Sequence, residues 1–95
     1  MKAQGLFFLR YPATTGIAKD GTRSVLLPVV ERNGHRTQRA MFVWAGTEAA
    51  NWYEAHIKQL KAGTPLQIEA DHIQPQRGEL FGLVTRCTLA KERWN

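Results

Sequence analysis

Cysteine is almost missing from the sequence, and the single residue of this type, Cys87, excludes an intrachain disulfide. A chain without disulfides is typical of a reducing compartment. Long hydrophobic runs are missing as well. The apolar stretch near the N-terminus, Leu6–Leu9, is too short for a signal peptide or a membrane span. The sequence therefore predicts a cytoplasmic protein that does not enter a membrane.

Patterns that support catalysis are also scarce. No phosphate-binding loop of the Gly-Lys-Ser/Thr type occurs, and no Ser-His or Cys-His pair has a suitable order in the chain. The acidic site of a metal-dependent nuclease could be imitated by Glu69, Asp71 and Glu79. However, Glu69 and Asp71 alternate with apolar residues, as the solvent face of a strand does. We therefore predict that the protein is not an enzyme and has no cofactor. We also predict no metal site, because the candidate metal ligands are scattered without the spacing of a metal site: His35, His56, His72 and Cys87.

The length and composition predict one globular domain. A chain of 95 residues has room for a single hydrophobic core, and 43% hydrophobic with 22% charged residues is ordinary for a folded protein. We assign residues 1–95 to one domain and expect residues 89–95 to be a mobile C-terminal end.

The excess of positive over negative charge is confined to the first half of the chain. Residues 1–46 carry seven basic and two acidic side chains, whereas residues 47–95 carry six of each. A basic excess of this kind is typical of a surface that meets a polyanion. The alternative is a set of scattered, solvated arginines.

Five strands and one helix follow from the apolar patterns. Pro28 lies inside the second strand and indicates an edge or a bulge there. Asn33–Gly34 between the second and third strands is typical of a two-residue type I′ hairpin. The helix begins at Thr47, a capping residue, and ends near Gly63. The predicted strands span residues 3–11, 22–31, 35–45, 65–73 and 79–89, with loops at 12–21 and 74–78.

The order of these elements predicts an all-β protein with one helix. Three strands, a helix and two further strands are the order of the five-stranded OB-fold barrel, with the helix between strands 3 and 4. This barrel is a common scaffold for oligonucleotides. Another small α+β sheet could have the same order.

Several segments resemble the bacterial single-stranded DNA-binding protein family. They are Leu9–Tyr11 with the glycine-containing loop that follows, Ala40–Gly46, Leu60–Gly63 and Pro65–Ala70. The acidic-tipped tail of that family does not follow Leu89, a departure shared with its shorter relative, primosomal replication protein N. The resemblance implies a homodimer or homotetramer that binds single-stranded DNA together with replication or recombination proteins.

The resemblance also implies a stacking role for Trp44 on the outer face of the barrel. The hairpin pattern places Trp44 and Phe42 on one face with Val25, Leu27 and Val29, and by composition alone that face could equally be the core. We predict that DNA is held by stacked rings and by cations along the phosphates. The predicted contacts are Trp44, Phe42, Tyr11, Arg36, Arg39, Lys19, Arg23, Arg10 and Arg77, with Phe81 as a further ring.

Two other functions remain open at this point. An OB barrel can act as an adaptor through protein contacts alone, and such a module would bind no oligonucleotide tightly. An RNA-binding barrel is the second alternative, although the aromatic RNA-binding strand motif is missing from the sequence.

Overall fold

Strands dominate the computed structural model, which describes residues 3–33 and 36–91, with the backbone alone given for residues 32, 33 and 36. The single α-helix, Thr47–His56, continues into a short 3-10 turn, Ile57–Gln59. The elements are β1 (Ala3–Leu9), β2 (Thr14–Ile17), β3 (Arg23–Asn33), β4 (Arg36–Ala45), α1 (Thr47–His56), β5 (Pro65–Gln76) and β6 (Glu79–Leu89).

Five of the strands close into a ring. The order around the ring is β1, β5, β6, β4 and β3, and β3 returns to β1 through the pairs Phe8–Val30 and Leu9–Val29. All neighbours are antiparallel except β4 and β6, which are parallel. This closure is the OB-fold barrel, so the predicted fold class is confirmed.

The sixth strand, β2, lies where a loop was predicted. Both β1 and β2 pair with the same edge of β3, and the break between them at residues 10–13 contains Pro12. The helix therefore lies between β4 and β5 when all strands are counted. Pro28 lies on β3 opposite this break, where its carbonyl accepts a hydrogen bond from the Arg10 amide (2.8 Å). A proline costs little there because β3 has no ladder partner at that point of the edge.

The β3–β4 hairpin has the predicted faces but a corrected register. Asn33 pairs with Arg36, whereas a turn at Asn33–Gly34 would pair Arg32 with His35. The observed register sets Val25 opposite Trp44 and Val29 opposite Ala40, and the predicted one would have set Arg23 and Gln38 against core residues. Apolar pairing on the buried face decides the register. Gly34 and His35 lie outside the described residues.

The β5–β6 hairpin is longer than predicted. β5 continues to Gln76 instead of residue 73, whereas β6 begins at Glu79 as predicted. A two-residue turn, Arg77–Gly78, joins them, and φ is 53° and 82° there. Two positive φ values are the mark of a type I′ turn. Nearer the barrel, His72 and Ile73 oppose the single residue Gly82, which makes a β-bulge.

The core contains the inward residues of β3 and β4. Phe42 is 0% exposed, Trp44 is 7% exposed, and both lie with Val25, Leu27 and Val29. The prediction that Trp44 and Phe42 face outward is therefore wrong. Every second residue of β4 points into the barrel. Among these inward residues, the apolar ones that fill the core are Ala40, Phe42 and Trp44.

The helix α1 covers one end of the barrel. Gly46 precedes it with φ at 113°, and its amide donates to the Arg23 carbonyl, so Thr47 is the first helical residue and not the cap. Ala49 and Ala50 are buried against the barrel.

Within the described residues, no helix has the length and apolarity that crossing a membrane requires. At the other end of the chain, Leu89 is the last residue of β6, and residues 92–95, including Trp94, lie outside the described residues.

Candidate nucleic-acid interface

The outward residues of β3, β4 and β6 form one continuous surface, which we name the outer face. Because neighbours in the ladders share a face, these residues form three parallel rows across the strands. The rows are Leu26–Val43–Leu83, Pro28–Met41–Phe81 and Val30–Arg39–Glu79.

Two rows of the outer face are apolar and partly exposed. Phe81 is 37% exposed and Leu83 is 49% exposed, which is high for large apolar side chains. They border a shallow cavity of about 270 Å³ whose other walls include Met41, Val43 and His72. An exposed ring set among apolar side chains is a surface on which an unpaired base can stack.

A second cavity lies at the break between β1 and β2. Its volume is about 440 Å³, and its walls include Tyr11, Arg10, Val30 and Arg39. Tyr11 is 59% exposed. The Arg10 guanidinium carbon lies 5.2 Å from the centre of the Tyr11 ring, within the range of a cation–π contact. The pair presents an aromatic surface and a cation side by side.

An ion pair joins this loop to the first residue of β6. Arg10 Nη1 donates to Glu79 Oε1 at 3.1 Å, although the two residues are 69 positions apart. Arg39 lies next to Glu79 in the β4–β6 ladder. The Gln38 side-chain amide donates to the Gly78 carbonyl at 3.3 Å and so ties β4 to the turn that carries Arg77. Arg10 and Arg39 therefore lie beside Tyr11 at one end of the outer face, and Arg77 belongs to the turn that Gln38 ties to this end.

The remaining predicted cations lie elsewhere. Arg23 is at the opposite end of β3, about 23 Å from Val30 along the strand. Its guanidinium forms an exposed ion pair of 2.9 Å with Glu54. Lys19 is exposed in the turn that follows β2. Arg36 belongs to β4, but its side chain lies outside the described residues.

This chain is similar in fold to two solved structures, a mitochondrial single-stranded DNA-binding protein and an SSB domain. The mitochondrial single-stranded DNA-binding protein of S. cerevisiae matches with a TM-score of 0.71 at 14% identity, over 96% of this chain and 94% of that one. The SSB domain of a Synechococcus sp. protein matches with a TM-score of 0.67 at 14% identity, over 90% and 91% of the two chains. The chain has the OB fold of these SSB domains.

A third solved structure widens the comparison. The protein priB from Ralstonia solanacearum matches with a TM-score of 0.59 at 14% identity, over 94% of this chain and 97% of that one. No protein-family model matches the sequence, and no curated protein sequence matches it significantly.

In this SSB-like fold, the exposed rings differ from those emphasised by the sequence. Trp44 and Phe42 are enclosed in the barrel, whereas Tyr11 and Phe81 are accessible on the outside. Sequence reasoning also missed Glu79 as a member of the surface. The alternation of residues along β4 could have predicted that Met41 and Val43 belong to the outer face. Nothing in the sequence predicts the contact between Arg10 and Glu79.

Two further groups have shifted pKa values. Burial raises the pKa of the Cys87 thiol from 9.0 to about 12, so the thiol stays protonated and is a poor nucleophile. Hydrogen bonds from the Thr22 hydroxyl and the Thr22 amide lower the pKa of Asp20. The amide contact is 2.9 Å and closes the turn next to Lys19. Neither group lies on the outer face.

Proposed function

We propose that the protein is a non-enzymatic, sequence-tolerant single-stranded DNA-binding protein of DNA replication, recombination or repair. The observation that carries the proposal is the position of the exposed rings. Tyr11 lies beside Arg10 and Arg39, in a loop and next to a strand of the kind that OB folds use for oligonucleotides, and Phe81 is exposed on the same outer face.

The chemistry of the outer face suits unpaired DNA. Exposed rings and apolar side chains accept bases by stacking, which contributes about 1–3 kcal/mol per base and does not depend on base identity. Arginines at the edge of the same surface neutralise phosphates. A duplex hides its bases inside the helix, so it can use only the phosphate contacts. We therefore expect single strands to bind more tightly.

The neighbours in fold support the same ligand. Two of them are described as an SSB domain and as a mitochondrial single-stranded DNA-binding protein. In this proposal the protein acts in the cytoplasm, as a homodimer or homotetramer, together with replication or recombination proteins.

A titration with labelled oligonucleotides tests the proposal. Single-stranded DNA, duplex DNA and RNA of equal length, about 15 nucleotides, are compared at low salt. We expect the single-stranded DNA to bind at least tenfold more tightly than the duplex. Equal affinity for the two would reduce the outer face to a general basic patch and would contradict the proposal.

A second candidate function is an adaptor that acts through protein contacts. The observation that favours it is the exposed apolar pair Phe81 and Leu83, since such side chains also occur in protein interfaces. Failure of every oligonucleotide to bind at low salt would favour this function over the first.

A further inference from the structure

Glu79 places a carboxylate within a surface that we propose binds a polyanion. Its Oε1 accepts a hydrogen bond from Arg10 at 3.1 Å, and Arg39 is its neighbour on β4. The side chain is half-buried and faces outward with Arg39. A carboxylate there repels phosphates and halves the positive charge that the two arginines supply, so phosphate binding gives no reason for it.

The surroundings of Glu79 suit the edge of a base. Phe81 follows two residues later on the same face of β6, about 7 Å away along the strand. Gln76 is the β5 neighbour of Glu79, and Gln74 is the β5 neighbour of Phe81. A base stacked on the Phe81 ring therefore has polar side chains at its rim. One of these is a carboxylate whose second oxygen has no hydrogen bond among the described residues.

A carboxylate distinguishes bases by their hydrogen-bond donors. It accepts hydrogen bonds and cannot donate them when ionised. Cytosine presents an exocyclic N4 amine, and an acidic side chain accepting from that amine is an established pairing. Thymine presents the O4 carbonyl in the same position, and two oxygens meeting there repel each other.

We propose that Glu79 is a specificity-determining residue, which favours bases with an exocyclic amine over thymine at the Phe81 position. Arg10 holds the carboxylate in place through the 3.1 Å ion pair, so the acceptor is oriented before the DNA arrives. The inference rests on the proposed function. It adds one base preference to an otherwise sequence-tolerant surface.

Two isosteric oligonucleotides provide the test. One consists of 5-methyldeoxycytidine and the other of thymidine, about 15 nucleotides each, so both carry the same methyl group and differ only in the hydrogen-bonding edge. Their dissociation constants are measured with the full chain at pH 7.5. We expect the wild-type protein to prefer the 5-methyldeoxycytidine oligonucleotide about tenfold, the size of one good base contact.

The variant Glu79→Gln separates base recognition from charge. It keeps the shape of the side chain, but its amide can accept from cytosine or donate to thymine, so we expect the preference to fall to about twofold or less. The matched control is Glu54→Gln, which also removes one negative charge and releases an arginine, Arg23, from an ion pair. The control should change both affinities by the same factor and keep the preference.

The outcomes are distinct. A preference that survives in Glu79→Gln, or a wild-type protein without any preference, overturns the inference while leaving the proposed function intact. A lack of binding to both oligonucleotides overturns the proposed function, and the inference with it.

Discussion

The indole rings of Trp44 and Trp52 lie with their centres 5.4 Å apart and their planes inclined at 56°. Trp44 belongs to β4 and Trp52 to α1, so this contact joins the helix to the wall of the barrel. Trp44 also lies opposite Val25 in the β3–β4 ladder. The ring therefore fills the space between the sheet and the helix, and a base could not reach it without opening the core.

Replacing Trp44 by Ala should destabilise the domain. The change opens a large cavity, and we expect the free energy of unfolding to fall by about 3–5 kcal/mol, a large part of the stability of a small domain. Thermal denaturation followed by circular dichroism measures the loss. A variant that melts normally but loses affinity for single-stranded DNA would return Trp44 to the binding surface.

Replacing Tyr11 by Ala should weaken DNA binding and leave the stability of the domain nearly unchanged. The ring is 59% exposed and lies at the mouth of the 440 Å³ cavity, so its removal should leave the melting temperature nearly unchanged. We expect a loss of about 1–3 kcal/mol in affinity for single-stranded DNA. Tyr11→Phe is the matched control, since it keeps the stacking surface and should bind normally. Equal affinity of the Ala variant and the wild type would remove Tyr11 from the site.

The sequence predicted more of the fold than of the site. The order of strands and helix was enough for the barrel, and the faces of the β3–β4 hairpin survived the register correction because both registers keep Trp44 on the side of Val25. The direction of those faces was not predictable from composition. Each face holds four or more apolar residues, and only closure of the barrel decides that Phe42 points inward and Met41 outward.

Long-range contacts account for the other differences. The Arg10–Glu79 ion pair forms because the fold brings the end of β1 close to the start of β6. No local sequence pattern predicts this contact. The strand β2 consists of four residues with a central glycine, Thr14–Ile17, and has a weak strand pattern of its own. It pairs because β3 offers an edge beyond the break at Pro12.

The salt dependence of DNA binding should reveal how many arginines contact phosphates. With about four phosphate contacts, the slope of log affinity against log salt should be about −3 for a single strand. Removing one contact by Arg39→Ala should reduce its magnitude by about 0.7. Arg86→Ala is the control, because Arg86 borders a separate cavity with Gln4 and Glu69. A slope near zero for the wild type would contradict the role of the basic residues.

A methyl group at Gly82 should disturb the bulge between β5 and β6. A Cβ atom there would lie 2.6 Å from Ile73 Cδ1 and 3.2 Å from both the Asp71 carbonyl oxygen and Phe42 Cδ1. We expect Gly82→Ala to lower the free energy of unfolding by about 1–3 kcal/mol. Gly16→Ala is the control, since its Cβ would meet only Ser24 Oγ, at 3.5 Å. Chemical denaturation of both variants provides the measurement, and equal stabilities would show that the bulge is easily deformed.

The edge of β1 leads to the prediction of a homodimer. Residues Ala3–Phe8 pair with β5, but only Phe8 and Leu9 pair with β3 among the described residues. The segment Ala3–Phe7 therefore presents a strand edge without a ladder partner among the described residues, which is an aggregation hazard unless another strand covers it. A second copy of β1 is the partner we expect. Sedimentation equilibrium at micromolar concentration should then give twice the mass of the 10.8 kDa chain.

A charge on this edge tests the interface directly. Leu6 is half-buried and lies opposite Gln67 of β5, so Leu6→Glu and Gln67→Glu place the same charge on adjacent strands, one at the edge and one inside the sheet. We expect Leu6→Glu to give a folded monomer, because an edge charge opposes strand pairing. Gln67→Glu should remain a dimer, since its strand is already paired on both sides. Dissociation of both variants would place the interface on the surface of β1 and β5 instead of the edge, and a wild-type mass of one chain would exclude the dimer.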